Sequence, residues 1–163
     1  MSPDVKLSSS RVQVEDSIEA VSEYLLSKQL SDGLPVVPPT EARVRAFVEY
    51  TGKDPKQKVA VVAPLNGEAT VEKIAVNAVM AGCKKEYMPV LLAAVSAMAE
   101  PQFNLNGMQA TTNPIAVLVI INGPIRDELN VNYKSGLFGP GWQANATIGR
   151  AVRLIQLNLG GAW

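Results

Sequence analysis

A chain of 163 residues, 47% of them hydrophobic, supports one buried core and is too short for two full domains. Fifteen basic residues cancel fifteen acidic ones and the longest basic run is Lys84-Lys85, so the chain lacks the field that draws in nucleic acid. The absence of histidine and the single cysteine exclude an internal disulfide and every Ser-His or Cys-His pair within the chain; a zinc or copper site would need carboxylates or another subunit, and none is expected from this chain.

Residues 1–12 are rich in serine and charge, with no periodic apolar positions. They read as a flexible arm, or as a segment that orders against a neighbouring subunit. Residues 13–163 form the domain. Ile18, Val21, Leu25 and Leu26 fall at helical spacing behind a capping Ser17, and Gly33 stops the run. LPVVPPT, residues 34–40, is extended because its prolines forbid helix; Thr40 then caps a second helix carrying Val44, Phe47 and Val48, up to Gly52. Residues 58–63, KVAVVA, have the pattern of a strand covered on both faces, and Pro64 ends it.

Thr70 opens a third helix that places Ile74, Ala78 and Ala81 or Val79 on one face, and Gly82 closes it. A fourth helix starts near Glu86 or Pro89. It is apolar nearly all round, which suits deep burial or an oligomer interface, and Pro101 bounds it. The polar stretch 103–114 is a loop. Residues 115–121, IAVLVII, give the strongest strand signal in the chain, and Asn122-Gly123-Pro124 turns it into a short helical segment, IRDELN. The last helix starts near Gln143, keeps Ile148, Val152, Ile155 and Leu159 on one face with Arg150 and Arg153 off it, and runs into Gly160-Gly161.

Helices alternating with two apolar strands predict an α/β fold, a small mixed sheet layered with about five helices in a single domain. Such a sheet is too small to be satisfied alone, which predicts a homo- or hetero-oligomer with a separate subunit. No apolar run reaches the ~18 residues needed to span a bilayer and no signal-peptide region opens the chain. A soluble cytoplasmic protein with no membrane partner is therefore expected.

The stretch FGPGWQANATIGR, residues 138–150, marks a candidate site. Gly139 and Gly141 flank Pro140, so the backbone can approach a ligand closely, and the helix that follows begins with unpaired N–H groups suited to an anion. Arg150 can fold back toward that helix end as an anion clamp, or form a salt bridge; Asn145 can reach a ligand, or cap the helix. Cys83 is the candidate nucleophile, with Lys84 and Tyr87 beside it as further catalytic candidates, since neighbouring cations raise the thiolate fraction. Its other reading is a small buried hydrophobe near a helix C-terminus, which disfavours an anion. Asn122, Thr111 and Thr112 can fix a polar substrate or simply form turns. The pattern around Gly139 lacks the spacing of a dinucleotide loop and the lysine of a P-loop, so no cofactor motif is recognisable.

DGLPVVPPT (32–40), ATVEKIAVNAVMAGCKKEYMPV (69–90), the ATTNP and INGPI segments, and FGPGWQANATIGRAVRLIQLNLGG (138–161) together resemble the UGSC-like family, a bacterial domain associated with UGSC selenocysteine or cysteine proteins. The resemblance covers most of the chain after residue 30 and implies thiol or selenol chemistry. The U/C-G-S-C motif itself is absent, Cys83 in AGCKKEY being the only cysteine, so a redox-active pair is not carried over. Family members continue past NLGG into a further segment, which suggests that a separate subunit supplies it here.

The expected function is that of a subunit of a small-molecule enzyme. It binds a polar or anionic substrate where the FGPG loop, the NGP turn and the AGC junction converge, with thiol-based hydrolytic, lyase or redox chemistry at Cys83. The opposing expectation is a non-catalytic structural subunit of a hetero-oligomeric enzyme whose catalytic groups or metal come from a partner chain.

Overall fold

In a computed structural model, which describes residues 5–162, seven α-helices and one two-stranded sheet build a helix-rich mixed α/β domain. Helix α1 (Ile18–Ser27) begins where the sequence predicts, with the Ser17 hydroxyl accepting from the Ala20 N–H. Helix α2 (Glu41–Thr51) starts after Thr40, which makes no side-chain cap bond, and ends at Gly52 in the left-handed conformation.

Strand β1 (Lys58–Val62) pairs antiparallel with β2 (Gly67–Thr70), in a register that sets Ala60 against Ala69 and Val62 against Gly67. The expectation of cover on both faces of β1 fails. Ala60 and Val62 are buried whereas Lys58 and Val61 are exposed, the alternation of a strand with one solvated face.

Helix α3 (Val71–Met80), capped by Thr70, is the centre of the molecule. Eight of its ten residues are buried, and it packs against α2, α4 (Met88–Met98) and α7 (Gln143–Gly160). A single 3₁₀ turn, Lys85–Tyr87, leads into α4. That helix buries Met88, Val90, Leu91, Val95 and Met98 but exposes Ala93, Ser96 and Ala97. Its all-round apolar character thus reflects a small-residue outer face rather than complete burial.

The stretch expected as a loop contains α5 (Leu105–Ala110), capped by the Asn104 side chain accepting from the Gly107 N–H. Helix α6 (Pro124–Glu128) follows the NGP turn as predicted.

The strongest predicted strand, residues 115–121, joins no sheet among the described residues. It lies over the core with alternating burial, Val117, Val119 and Ile121 half-buried against it and Leu118 and Ile120 turned out, 66% and 74% exposed. The physical reason is a missing partner: β1 takes β2 on one side, and no backbone N–H of residues 116–121 donates to another described residue. Periodicity identifies a segment's preferred conformation, while a ladder requires a second strand.

Of the expected N-terminal arm, residues 1–4 lie outside the described residues. The remainder is tied to the body through Glu72, which is 2% exposed. The backbone N–H groups of Ser8 and Ser9 and the Ser8 hydroxyl donate to its carboxylate at 2.8–3.1 Å. Arg45 also donates to the Val5 carbonyl. Burial alone would raise the Glu72 carboxyl, but the hydrogen bonds from Ser8 and Ser9 outweigh it and hold the group below its usual range.

Candidate functional site

The AGC junction closes α3. Gly82, at φ +82°, makes the turn, and its carbonyl accepts from the Gln143 side chain at 3.2 Å. Cys83 follows, half-buried, with Sγ donating to the Thr147 carbonyl at 3.3 Å. Burial pushes the thiol up to about 11, while the positive charge of Arg150 pulls the other way. At neutral pH the group is therefore a protonated thiol, contrary to the thiolate expected from its lysine neighbours. Lys84 is exposed, and the Tyr87 side chain is buried. Tyr87 is raised above its ordinary value, first by burial and then by the charges of Cys83 and Glu86.

Arg150 and Asn145 both work within the fold. Arg150 forms a two-pronged pair with Asp32, Nε to Oδ2 and Nη2 to Oδ1, each at 2.9 Å, and also donates to the Leu34 carbonyl. This pair locks the DG turn of residues 32–34 to α7, and Arg150 lowers the Asp32 carboxyl through its hydrogen bonds. Asn145 accepts from the Asn132 N–H and donates to the carbonyls of Asn132 and Leu137. It thereby pins the loop ahead of α7 onto the first turn of that helix.

The FGPG loop is exposed at Phe138, Gly139, Pro140 and Gly141. Gly141 has φ +100° with open space around it, and Trp142, the N-cap of α7, makes no side-chain cap bond. Asn122 and Gly123 are likewise exposed, and Gly123 serves as the N-cap of α6. The AGC junction and the first turns of α7 therefore meet, through the Gly82–Gln143 and Cys83–Thr147 bonds. Among the described residues no hydrogen bond or ion pair joins Asn122 to either.

A further depression lies elsewhere. A groove of about 440 Å³ lies between α5 with residues 111–117 and the 149–156 stretch of α7. Its polar lining includes Gln109, Thr111, Asn113, Arg153 and Gln156. Thr111 is thus the one predicted substrate contact that lines it, whereas Thr112 is exposed outside it. The Thr111 hydroxyl accepts from both the backbone and side-chain N–H of Asn113, the local turn that sequence reasoning offered as an alternative. Gln109 and Asn113 belong to the polar loop 104–113, itself a candidate from sequence, whereas Arg153 and Gln156 of α7 were not foreseen, because separate segments meet to form the groove. No group of three or more His, Cys, Asp or Glu suited to a metal ion occurs among the described residues, and none of their helices is long and apolar enough to cross a membrane.

Comparison with family models, with curated proteins and with solved structures finds no match for this chain.

Proposed function

We propose that this chain is a structural subunit of a hetero-oligomeric small-molecule enzyme, with the catalytic groups or metal supplied by a partner chain. The observation that carries this reading is segment 115–121, a seven-residue apolar stretch with a strand pattern whose backbone finds no ladder among the described residues. Uncharged, proline-free edges of this kind are normally covered in the assembled state. The resemblance to the UGSC-like family supplies the enzymatic context.

The thiol reading loses ground on chemistry. Cys83 is protonated at neutral pH, and Arg150 is spent on Asp32. What remains in its favour is the exposed FGPG loop ahead of the uncapped end of α7. Replacing Cys83 by Ala separates the two readings. Full turnover of the assembled complex is expected after that change, and loss of turnover with the assembly intact would restore Cys83 as the reacting group.

A further inference from the structure

We infer that the groove between α5 and α7 is a binding site for a small hydroxy-carboxylate bearing an apolar substituent. Nothing in the subunit reading requires this site, and its test is independent of that reading.

The groove contains one formal charge. Arg153 lines it, and no carboxylate does. Unlike Arg150, Arg153 makes no ion pair with a described residue; its one hydrogen bond runs from Nη2 to the Ala162 carbonyl at 2.9 Å. That contact tethers the guanidinium at the groove while leaving Nε and Nη1 without described partners. A planar guanidinium held in this way and not neutralised favours a carboxylate, which its fork matches. The Asn113 amide and Thr111 hydroxyl, already bonded to each other, retain further N–H and O–H donors for the same anion.

Gln156 supplies the second requirement. It lines the groove while only 5% exposed. Its side-chain N–H donates to the Met98 sulfur at 3.7 Å, and its side-chain carbonyl oxygen has no hydrogen-bond partner among the described residues. That oxygen retains accessible surface, so a donor entering the groove can reach it. A hydroxyl satisfies it. An ammonium would meet Arg153 with no carboxylate to offset the repulsion, so a hydroxy acid is preferred over an amino acid. Leu105 and Met108 of α5 and Val152 of α7 provide the apolar wall, and the volume suits a small molecule.

The test uses the full chain, titrated with 2-hydroxyisocaproate, isocaproate and leucine by calorimetry, with amide NMR shifts mapping the contact. Saturable binding is expected in the order hydroxy acid, simple acid, amino acid, with shifts at Thr111, Val117 and Gly149. Arg153→Gln should weaken the hydroxy acid by at least about tenfold. Arg153→Lys, which keeps the charge and removes the fork, should also weaken it. Gln156→Met should bring the hydroxy acid down to the affinity of isocaproate while leaving isocaproate unchanged. The inference is overturned if 2-hydroxyisocaproate fails to saturate at millimolar concentration, if both Arg153 variants bind like the parent, if the shifts map away from the groove, or if leucine binds as tightly as the hydroxy acid.

Discussion

Two side chains proposed from sequence as chemistry turn out to hold the fold, and their energetics are open to measurement. The Asp32–Arg150 pair is mostly buried, with 16% and 19% of the two side chains accessible, so losing one partner strands the other. Asp32→Asn should cost about 2 kcal/mol by denaturant unfolding at pH 7. The sign of its pH dependence follows from the lowered Asp32 carboxyl. Its contribution is fully present above the ordinary value of 3.8 and is lost as pH falls through the lower folded value. The gap between wild type and Asp32→Asn should therefore stay level near neutrality and close only below about pH 3.8. Cys83 gives the complementary residue-scale prediction. With its thiol raised to about 11, iodoacetamide should label the folded chain far more slowly at pH 7.5 than the urea-unfolded chain, the folded rate climbing toward pH 11. Equal rates at pH 7.5 would mean that the thiol is neither shielded nor protonated. The helical position of Arg150 was legible in the sequence, but its partner 118 residues away was not, because nothing local encodes a contact across the fold.

At the scale of elements, the β1–β2 hairpin seats its turn on the C-terminal end of α7. The Leu65 N–H donates to the Gly160 carbonyl at 2.9 Å. A Cβ added to Gly160 would stand 2.5 Å from the Ala63 carbonyl oxygen and 3.0 Å from Val62 Cγ1. Gly149, in the middle of the same helix, has nothing within 4 Å of such an atom. The two glycines should thus respond with opposite sign. Gly149→Ala should stabilise by about 0.5–1 kcal/mol through helix propensity, whereas Gly160→Ala should destabilise by about 1–3 kcal/mol through overpacking. Denaturant midpoints of both variants check this, and a neutral Gly160→Ala would refute the close approach. The Glu72 latch is a second element-scale case. Glu72→Gln removes a buried carboxylate acceptor from three donors, so hydrogen exchange at Ser8 and Ser9 should accelerate while exchange in α3 stays slow.

The long helices were legible because apolar spacing, caps and terminal glycines agreed, as at Ser17, Thr70 and Gly161. Helix α5 escaped notice because six residues carry too little periodicity, although Asn104 ahead of it is an ordinary cap. Strand β2 escaped because GEAT has a single β-branched residue, Thr70, which doubles as the cap of α3.

Over the whole molecule, the mismatch between pattern and pairing at residues 115–121 carries the functional account. The sequence gives its strongest strand signal here, while the described residues cover one face of the segment and pair with neither edge. A lysine at an outward position should leave the monomer fold intact and block strand addition. Leu118→Lys, 66% exposed in the parent, is thus expected to melt like the wild type and to fail in assembly. Of the groove, only the polar loop 104–113 was legible; its meeting with Arg153 and Gln156 of α7 arises through tertiary packing. The central claim, that this chain functions as one subunit of a heteromer closed over residues 115–121, is tested most directly by native mass spectrometry after coexpression with the adjacent reading frame. The account predicts a stoichiometric complex of the two chains that is lost in Leu118→Lys. A wild-type chain that stays monomeric, or assembles only with copies of itself, would contradict it.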